Sequence, residues 1–253
     1  MNERDCQAGI VRALCAGRGF PQAIDDVEMI ETHISWVFLA GEFAYKMKKA
    51  VRLNFLDFTG LERRRRMCEI ELELNRRWAP ELYLDVVPVT GDCTHPSLDG
   101  GGAAIEYLLK MRRFDQSARL DRQLEAGCLT LGDMRDLAVA VSDLHTQASP
   151  VSFDSADDAL RRITKPINDN YPHVRRVADG DDLERVCTWT DEQLHRYGDL
   201  LVNRHRDGYV RECHGDLHLA NLVRLEDRIC AFDCIEFEPE LREIDVVSDL
   251  SFL

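Results

Sequence analysis

His214, Asp216, Asn221 and Asp233 fall within one segment, HGDLHLANLVRLEDRICAFD, spanning 214–233. Asp216 and Asn221 are five residues apart, and Asp233 follows two short apolar runs. A carboxylate beside a hydroxyl can orient it and take its proton as it attacks. An amide and a second carboxylate are oxygen donors, the ligand type Mg²⁺ prefers. That ion neutralises charge on a phosphoryl group in transit, which is most of what such a transfer demands. The plain alternative is a loop of polar residues satisfied by one another, as short motifs often are. The joint fit of four positions favours the chemical reading.

A second group lies upstream, at Phe43-Ala44-Tyr45-Lys46. On a strand, Ala44 and Lys46 share one face. The small residue leaves room for an adenine ring and the lysine reaches phosphates, as in the V-A-I-K strand of kinases. Lys48 shares the face and competes for the role, and a solvated lysine is the plain reading of either. Glu71, inside the helix that follows, is the candidate to orient Lys46, with Glu69 and Glu73 as competitors. Together the two segments follow the kinase pattern H-x-D-x-x-x-x-N with a later metal-binding Asp.

These residues need elements to hold them. Ile10, Val11 and Leu14 recur at helical spacing over 5–17. ISWVFLA (34–40) and FAYKMK (43–48) read as strands joined by a turn at Gly41-Glu42. Residues 59–78 read as a helix, with Thr59 and Glu62 as a capping box and Pro80 past its end. LYLDVVPV (82–89) and AAIEYLL (103–109) are two more strands. From about 116 the pattern turns helical. Leu131, Met134, Leu137, Ala138, Val141 and Leu144 form one amphipathic stripe, and Leu183, Val186, Cys187, Leu194, Tyr197 and Leu201 a second. Between them 149–180 is polar and irregular, with Pro150, Pro166 and Pro172, and reads as a mobile insert or a loop with a short helix. LVRL (222–225) and ICAF (229–232) form a small hairpin around Glu226-Asp227-Arg228.

The 253 residues are 45% hydrophobic and 31% charged, ordinary globular composition that excludes collagen-like and wholly disordered chains. Net charge is −14, which disfavours nucleic acid or an anionic membrane as partner but not ATP in a locally basic pocket. Nine cysteines, an odd number with no C-x-x-C pair, argue against a disulfide framework or zinc ribbon and for reduced thiols in a cytosol. The N-terminus lacks a signal-peptide apolar run, and no stretch approaches the ~20 apolar residues of a membrane span. The expected location is cytoplasmic.

With these residues in hand, the sequence resembles the aminoglycoside-phosphotransferase and choline-kinase-like superfamily. The catalytic loop there is H-G-D-x-x-x-x-N, as in His214–Asn221. Asp143-Leu144-His145 resembles its L-H element. Asp245-Val246-Val247-Ser248-Asp249-Leu250 resembles its G-D-x-x-x-D-L-A segment, with Ile244 where Gly is usual. ETHISWVFLAGEFAYKMKKAVRLNFLDF, LNRRWAPELYLDV and FDCIEFEPELREIDVVSDLSFL resemble a bacterial branch whose kinase-like domain is often followed by a P-loop ATP-binding domain. No G-x-x-x-x-G-K-[ST] occurs in this chain.

The resemblance implies an α+β, protein-kinase-like two-lobe fold. A small antiparallel sheet forms the N-lobe over 1–110, and a mostly helical C-lobe over 111–253 carries the catalytic loop and is cut short. It implies an ATP-dependent kinase acting with Mg²⁺ on a small-molecule hydroxyl, with no nucleic-acid or membrane partner. Asp216 is then the catalytic base, and Asn221 and Asp233 the Mg²⁺ ligands. Lys46 binds phosphates, Glu71 holds it, and Asp249 braces the catalytic loop. Glu106, Tyr107 and Leu108 become the hinge whose backbone meets adenine beside Ala44. A Gly-rich phosphate loop is absent. Thr32-His33-Ile34-Ser35 takes its place, with backbone amides and the Ser35 hydroxyl as phosphate contacts. The absent G-x-x-x-x-G-K-[ST] implies a missing partner domain, and the last residues begin a helix of the C-lobe core, so missing C-lobe helices and a marginally stable chain are also expected. Two rivals stand beside this reading: a nucleotide-binding module without turnover, and a metallophosphoesterase using Asp143, His145, Asp216 and His218.

Overall fold

Apolar alternation over 35–48 builds the hairpin at the centre of the sheet, and the elements around it follow in chain order. The computed structural model describes residues 3–53, 56–98, 100–153, 155–176 and 180–253. The first part runs α1 (Glu3–Cys15), β1 (Val27–Glu31), β2 (Ser35–Ala40), β3 (Phe43–Lys48), β4 (Arg52–Leu53), β5 (Leu56–Asp57), α2 (Leu61–Arg76), β6 (Tyr83–Gly91), β7 (Pro96–Ser97), β8 (Glu106–Arg112) and α3 (Leu120–Glu125). The second runs α4 (Leu131–Gln147), α5 (Ala156–Val174), α6 (Gly180–Arg206), β9 (Val210–Glu212), β10 (Leu222–Leu225), β11 (Arg228–Ala231), β12 (Glu243–Asp245) and α7 (Val246–Leu250). The α+β, kinase-like class is what the sequence led us to expect. Among the described residues no helix is long and apolar enough to cross a membrane.

The chain divides into two units, Met1–Asp133 with Leu219–Glu238, and Met134–His218 with Pro239–Leu253. This differs from the expected division at 110, because the 222–231 hairpin belongs with the sheet. In the first unit the strand order is β1-β2-β3-β8-β6-β7, antiparallel throughout. Consecutive residues of a strand point to opposite faces, and β8 shows the consequence. Leu108 packs with Ile10 and Leu14 of α1 and with Phe38, Tyr45 and Met47. Leu109 packs with Cys68 of α2, with Tyr83, and with Val223 and Cys230 of the β10–β11 hairpin. The sheet is thus a layer between α1 on one side and α2 with the hairpin on the other.

Two local expectations change. The cap of α2 is Gly60, with no side-chain hydrogen bond. The Thr59 hydroxyl instead donates to Asp57 Oδ1 at 2.6 Å, because an acceptor two residues back is nearer than the helix terminus. Cysteine usage also differs. Cys6 and Cys93 form a disulfide, and seven other cysteines are free. Gly9 allows it: a Cβ there would come within 2.5 Å of the Cys93 carbonyl oxygen, so α1 lies directly on that loop. A pairing across 87 residues is not written in spacing.

In the second unit, α4 buries Leu137, Val141 and Leu144 of its expected stripe, whereas Leu131 is exposed. The segment read as irregular forms α5, 19 residues long. Ser155 caps it by accepting the Asp158 N–H, and Asp157 and Asp158 suit the positive end of the helix dipole. Pro166 and Pro172 lie inside it, a disruption of about 3 kcal/mol for an interior proline that packing against α6 offsets. Of the second stripe, Leu183 is buried while Val186 and Tyr197 are exposed. Strands β9 and β12 pair antiparallel and lead into α7.

Candidate active site

Each unit carries one half of the predicted constellation. In the first, β3 presents Lys46 and Lys48 on one face. Lys46 Nζ donates to Glu71 Oε1 at 2.8 Å and also to Asp233. Lys48 Nζ donates to Glu71 Oε2 at 2.6 Å and also to Glu236. Among three candidate glutamates, Glu71 is therefore the partner. It sits on the buried face of α2 with Met67, Cys68, Leu74 and Asn75, while Glu69 pairs with Arg65 at 3.0 Å and Glu73 is exposed. A carboxylate within an apolar helical stripe was the signal in the sequence.

Helix α2 is itself held. Arg64, fully buried, donates through Nε to both Glu106 oxygens at 3.0 Å and through Nη1 to the Phe58 carbonyl at 2.8 Å. From α1, Gln7 Nε2 donates to Glu106 Oε2 at 2.7 Å and to the Lys48 carbonyl at 2.9 Å. The hinge reading of Glu106, Tyr107 and Leu108 is corrected by this arrangement. The three residues lie in the body of β8, Leu108 opposite both Met47 and Val87. The Tyr107 N–H goes to Glu106 Oε1 at 3.0 Å. The chain leaves β8 only at Arg112. Residues 112–116 there border an open hollow with Gly41 and Glu42, and Ala44 lies opposite Met111.

The expected phosphate turn is also changed. The Thr32 hydroxyl accepts the N–H groups of Ile34 (3.4 Å) and Ser35 (3.0 Å). The Ser35 side chain is wholly buried, and its hydroxyl is without a hydrogen-bond partner. Strand pairing opposite Lys48 turns Ser35 inward, so neither that hydroxyl nor these two amides faces a ligand.

Asn221 and Asp233 bracket the hairpin. The Phe232 N–H donates to the Asn221 carbonyl at 3.0 Å, closing the ladder so that both residues leave its same end. Asp233 has φ +64°, a left-handed conformation that costs a non-glycine residue about 1–3 kcal/mol. Two buried side chains hold it there: the Asp233 N–H donates to the Tyr83 hydroxyl at 2.9 Å and the Cys234 N–H to Asn75 Oδ1 at 3.0 Å. The Asp233 side chain remains 44% exposed. An exposed carboxylate and a largely buried amide at one hairpin end, with the carboxylate already drawing an ammonium, are oxygen donors of the kind that fits Mg²⁺.

Burial opposes the charge on Lys46, yet Asp233, Glu71 and Glu236 hold its pKa well above the ordinary lysine value. Lys48 is raised in the same way, Glu236 and Glu71 outweighing burial. Glu236 is raised too, chiefly by burial, with Lys48 opposing. In this cluster three carboxylates, Glu71, Asp233 and Glu236, face two ammoniums, Lys46 and Lys48. The Tyr83 phenol is pushed up by burial and then by Asp233.

The second unit holds His214, Gly215 and Asp216 of the expected catalytic loop. Asp249, fully buried, accepts the N–H groups of Gly215 at 2.8 Å and His214 at 3.3 Å. His145 Nε2 lies 2.9 Å from Asp249 Oδ2, the oxygen that also accepts the His214 N–H. The L-H helix end and the terminal Asp thus fix the turn that presents Asp216, whose side chain is 42% exposed. His218 Nε2 lies 3.4 Å from Asp216 Oδ2. His145, Cys213 and Asp249 are the one group of three His, Cys, Asp or Glu side chains among the described residues whose ligand atoms lie close enough to share a metal. Their atoms are already engaged: Cys213 Sγ contacts the Ile244 carbonyl at 3.5 Å, and burial raises its thiol pKa. The cluster is a brace. With His145 so committed and Asp143 exposed on α4, the metallophosphoesterase set does not assemble.

No protein-family model matches the chain. It is 31% identical over 231 residues to the uncharacterized protein Rv2004c of Mycobacterium tuberculosis (strain H37Rv), covering 90% of this chain and 45% of that protein. The same figures hold for the uncharacterized protein Mb2027c of Mycobacterium bovis. The chain spans about half the length of these curated relatives. Among solved structures, choline kinase from Cryptosporidium parvum Iowa II aligns with TM-score 0.52 and 16% identity, over 94% of this chain and 66% of that one. Aminoglycoside phosphotransferase APH(4)-Ia aligns with TM-score 0.51 and 13% identity, over 96% and 75%. A choline/ethanolamine kinase family protein from Mesorhizobium loti gives TM-score 0.50 and 14% identity, over 98% and 68%.

Proposed function

From a chain with the fold shared by choline kinases and aminoglycoside phosphotransferases, we propose an ATP-dependent phosphotransferase. It moves the γ-phosphoryl group to a hydroxyl of a small molecule. The observation that carries this reading is Lys46 held on Glu71 at 2.8 Å while also reaching Asp233. In the working enzyme Lys46 binds the nucleotide phosphates and Glu71 keeps it in place. Asn221 and Asp233 are the residues for Mg²⁺, which supplies charge neutralisation at the phosphates. The base lies beside Ala44 and the 112–116 backbone. Asp216, presented by the loop that Asp249 braces, orients the acceptor hydroxyl and takes its proton.

The acidic chain, at net charge −14, supports a small-molecule acceptor over nucleic acid or an anionic membrane. The seven free cysteines support a cytoplasmic location, against which the one disulfide, Cys6–Cys93, weighs. The extra length of the curated relatives is where a P-loop ATP-binding domain would lie. A second reading, nucleotide binding without turnover, draws on the buried Ser35 and the occupied Thr32 turn.

An ATP-consumption screen over metabolites and aminoglycosides separates the two. We expect turnover with at least one acceptor, lost by more than ~10³-fold in Asp216→Ala, a loss of the size seen when a reactive side chain is removed. ATP binding should survive in that variant. ATP binding with no turnover on any acceptor supports the second reading, and unchanged turnover in Asp216→Ala overturns the mechanism.

A further inference from the structure

The charged cluster behind Asp233 is larger than nucleotide binding requires. Lys46 and Lys48 stand two residues apart on one face of β3, and each takes one oxygen of Glu71. Each also takes a carboxylate from a single short segment, Lys46 from Asp233 and Lys48 from Glu236. The segment is therefore tied to one strand at both ends. The ties differ in access: the Asp233 side chain is 44% exposed, whereas those of Lys48 and Glu236 are 1% and 4% exposed.

We infer that Lys48 and Glu236 are a positioning pair that anchors the 233–236 segment on β3 and so fixes where the Asp233 carboxylate points. The inference rests on the phosphotransferase reading for the role of Asp233, and on geometry alone for the anchor. A lysine that must turn to phosphates cannot also hold Asp233 in place throughout a reaction. Lys48 has no such duty, because water and ligands do not reach it. Its removal leaves the Glu236 carboxylate buried without its counter-ion, a strongly unfavourable state, and leaves Glu71 with one ammonium in place of two. The left-handed backbone at Asp233 makes the segment one that relaxes when an anchor is lost.

The test uses the full chain as Lys48→Met, Lys48→Arg and Glu236→Gln. Amide hydrogen exchange is followed at 233–237 without nucleotide, and Mn²⁺ affinity is measured by electron paramagnetic resonance with ADP present. Lys48→Met should accelerate exchange at Cys234 while β2 and β6 keep their protection. It should weaken Mn²⁺ binding about tenfold or more, the usual effect of losing a residue behind a metal ligand, with metal-free ADP affinity little changed. Lys48→Arg should restore most of both. If Lys48→Met does not fold, Glu236→Gln, which keeps the acceptor oxygen and removes the charge, carries the same comparison. Folded variants with unchanged exchange or unchanged Mn²⁺ affinity overturn the inference. If the unaltered protein binds no Mn²⁺ with ADP while exchange at 233–237 still accelerates in the variants, the anchor stands and the phosphotransferase reading falls.

Discussion

Gly215 separates His214 from Asp216 with φ +84°, and a Cβ there would meet the Leu241 carbonyl oxygen at 2.7 Å. Gly41, in the turn between β2 and β3, has φ +60° with nothing within 4 Å of such a Cβ. The two glycines therefore separate strain from crowding. Gly41→Ala should lower stability by about 1 kcal/mol, for the left-handed backbone alone. Gly215→Ala adds displacement of the backbone at 241–242 and should cost distinctly more, with turnover falling further than nucleotide affinity. Paired thermal melts and nucleotide titrations check both, and equal melting shifts would show that the Gly215 turn is not crowded. At this scale the candidate residues were legible. Asp216, Asn221, Asp233 and Lys46 are polar types at spacings fixed by local chain geometry. Glu236, Tyr83, Gln7 and Arg64 were not, because their work is to fill hydrogen bonds on other elements, and nothing near them in sequence says which.

Helix α1 meets the charged cluster through Gln7, and besides that residue's hydrogen bonds to Lys48 and Glu106 it is held to the sheet by its apolar face on Phe38, Tyr45 and Met47 and by the Cys6–Cys93 bond. The bond closes a long loop, so its loss should lower stability by about 2–4 kcal/mol. Urea melts of the protein with and without dithiothreitol, and of Cys6→Ser, check this. Coincident midpoints for all three would show that packing alone holds α1. Elements with a local pattern were readable: β2, β3, β10 and β11 came from apolar runs bounded by turns, α4 from its stripe, and α2 from its boundary residues Thr59, Glu62 and Pro80. The cap of α2 and the whole of α5 were misread. Asp57 drew the Thr59 hydroxyl away from the helix end, and the prolines of α5 were outweighed by packing on α6, a partner that local sequence cannot see.

The three apolar clusters of the described residues all lie in the unit built on the sheet. In the other unit α4 buries Leu137, Val141 and Leu144, but α5 and α6 bury little: Ala159 is the one buried residue described in α5, and Leu183 in α6. Stability should follow that distribution. In native-state hydrogen exchange, amides of β2, β3 and β8 should outlast those of α5 and α6, and chemical unfolding should depart from a single transition. Exchange at one common rate in both units would show instead that they unfold as one.

The sequence alone determined which atoms are available for chemistry: a carboxylate, an amide and a second carboxylate around a hairpin, with a lysine and a glutamate upstream. It could do so because catalytic loops constrain residue type and spacing over a few residues, which is the range of local geometry. Only the tertiary structure decided which glutamate Lys46 takes and that Lys48 is tied to Glu236. It also decided that Glu106 is an internal ion-pair partner and no hinge, that Ser35 faces inward, and that Cys6 meets Cys93. Those pairings join segments far apart in the chain, and the packing of α1 and α2 on opposite faces of one sheet sets them.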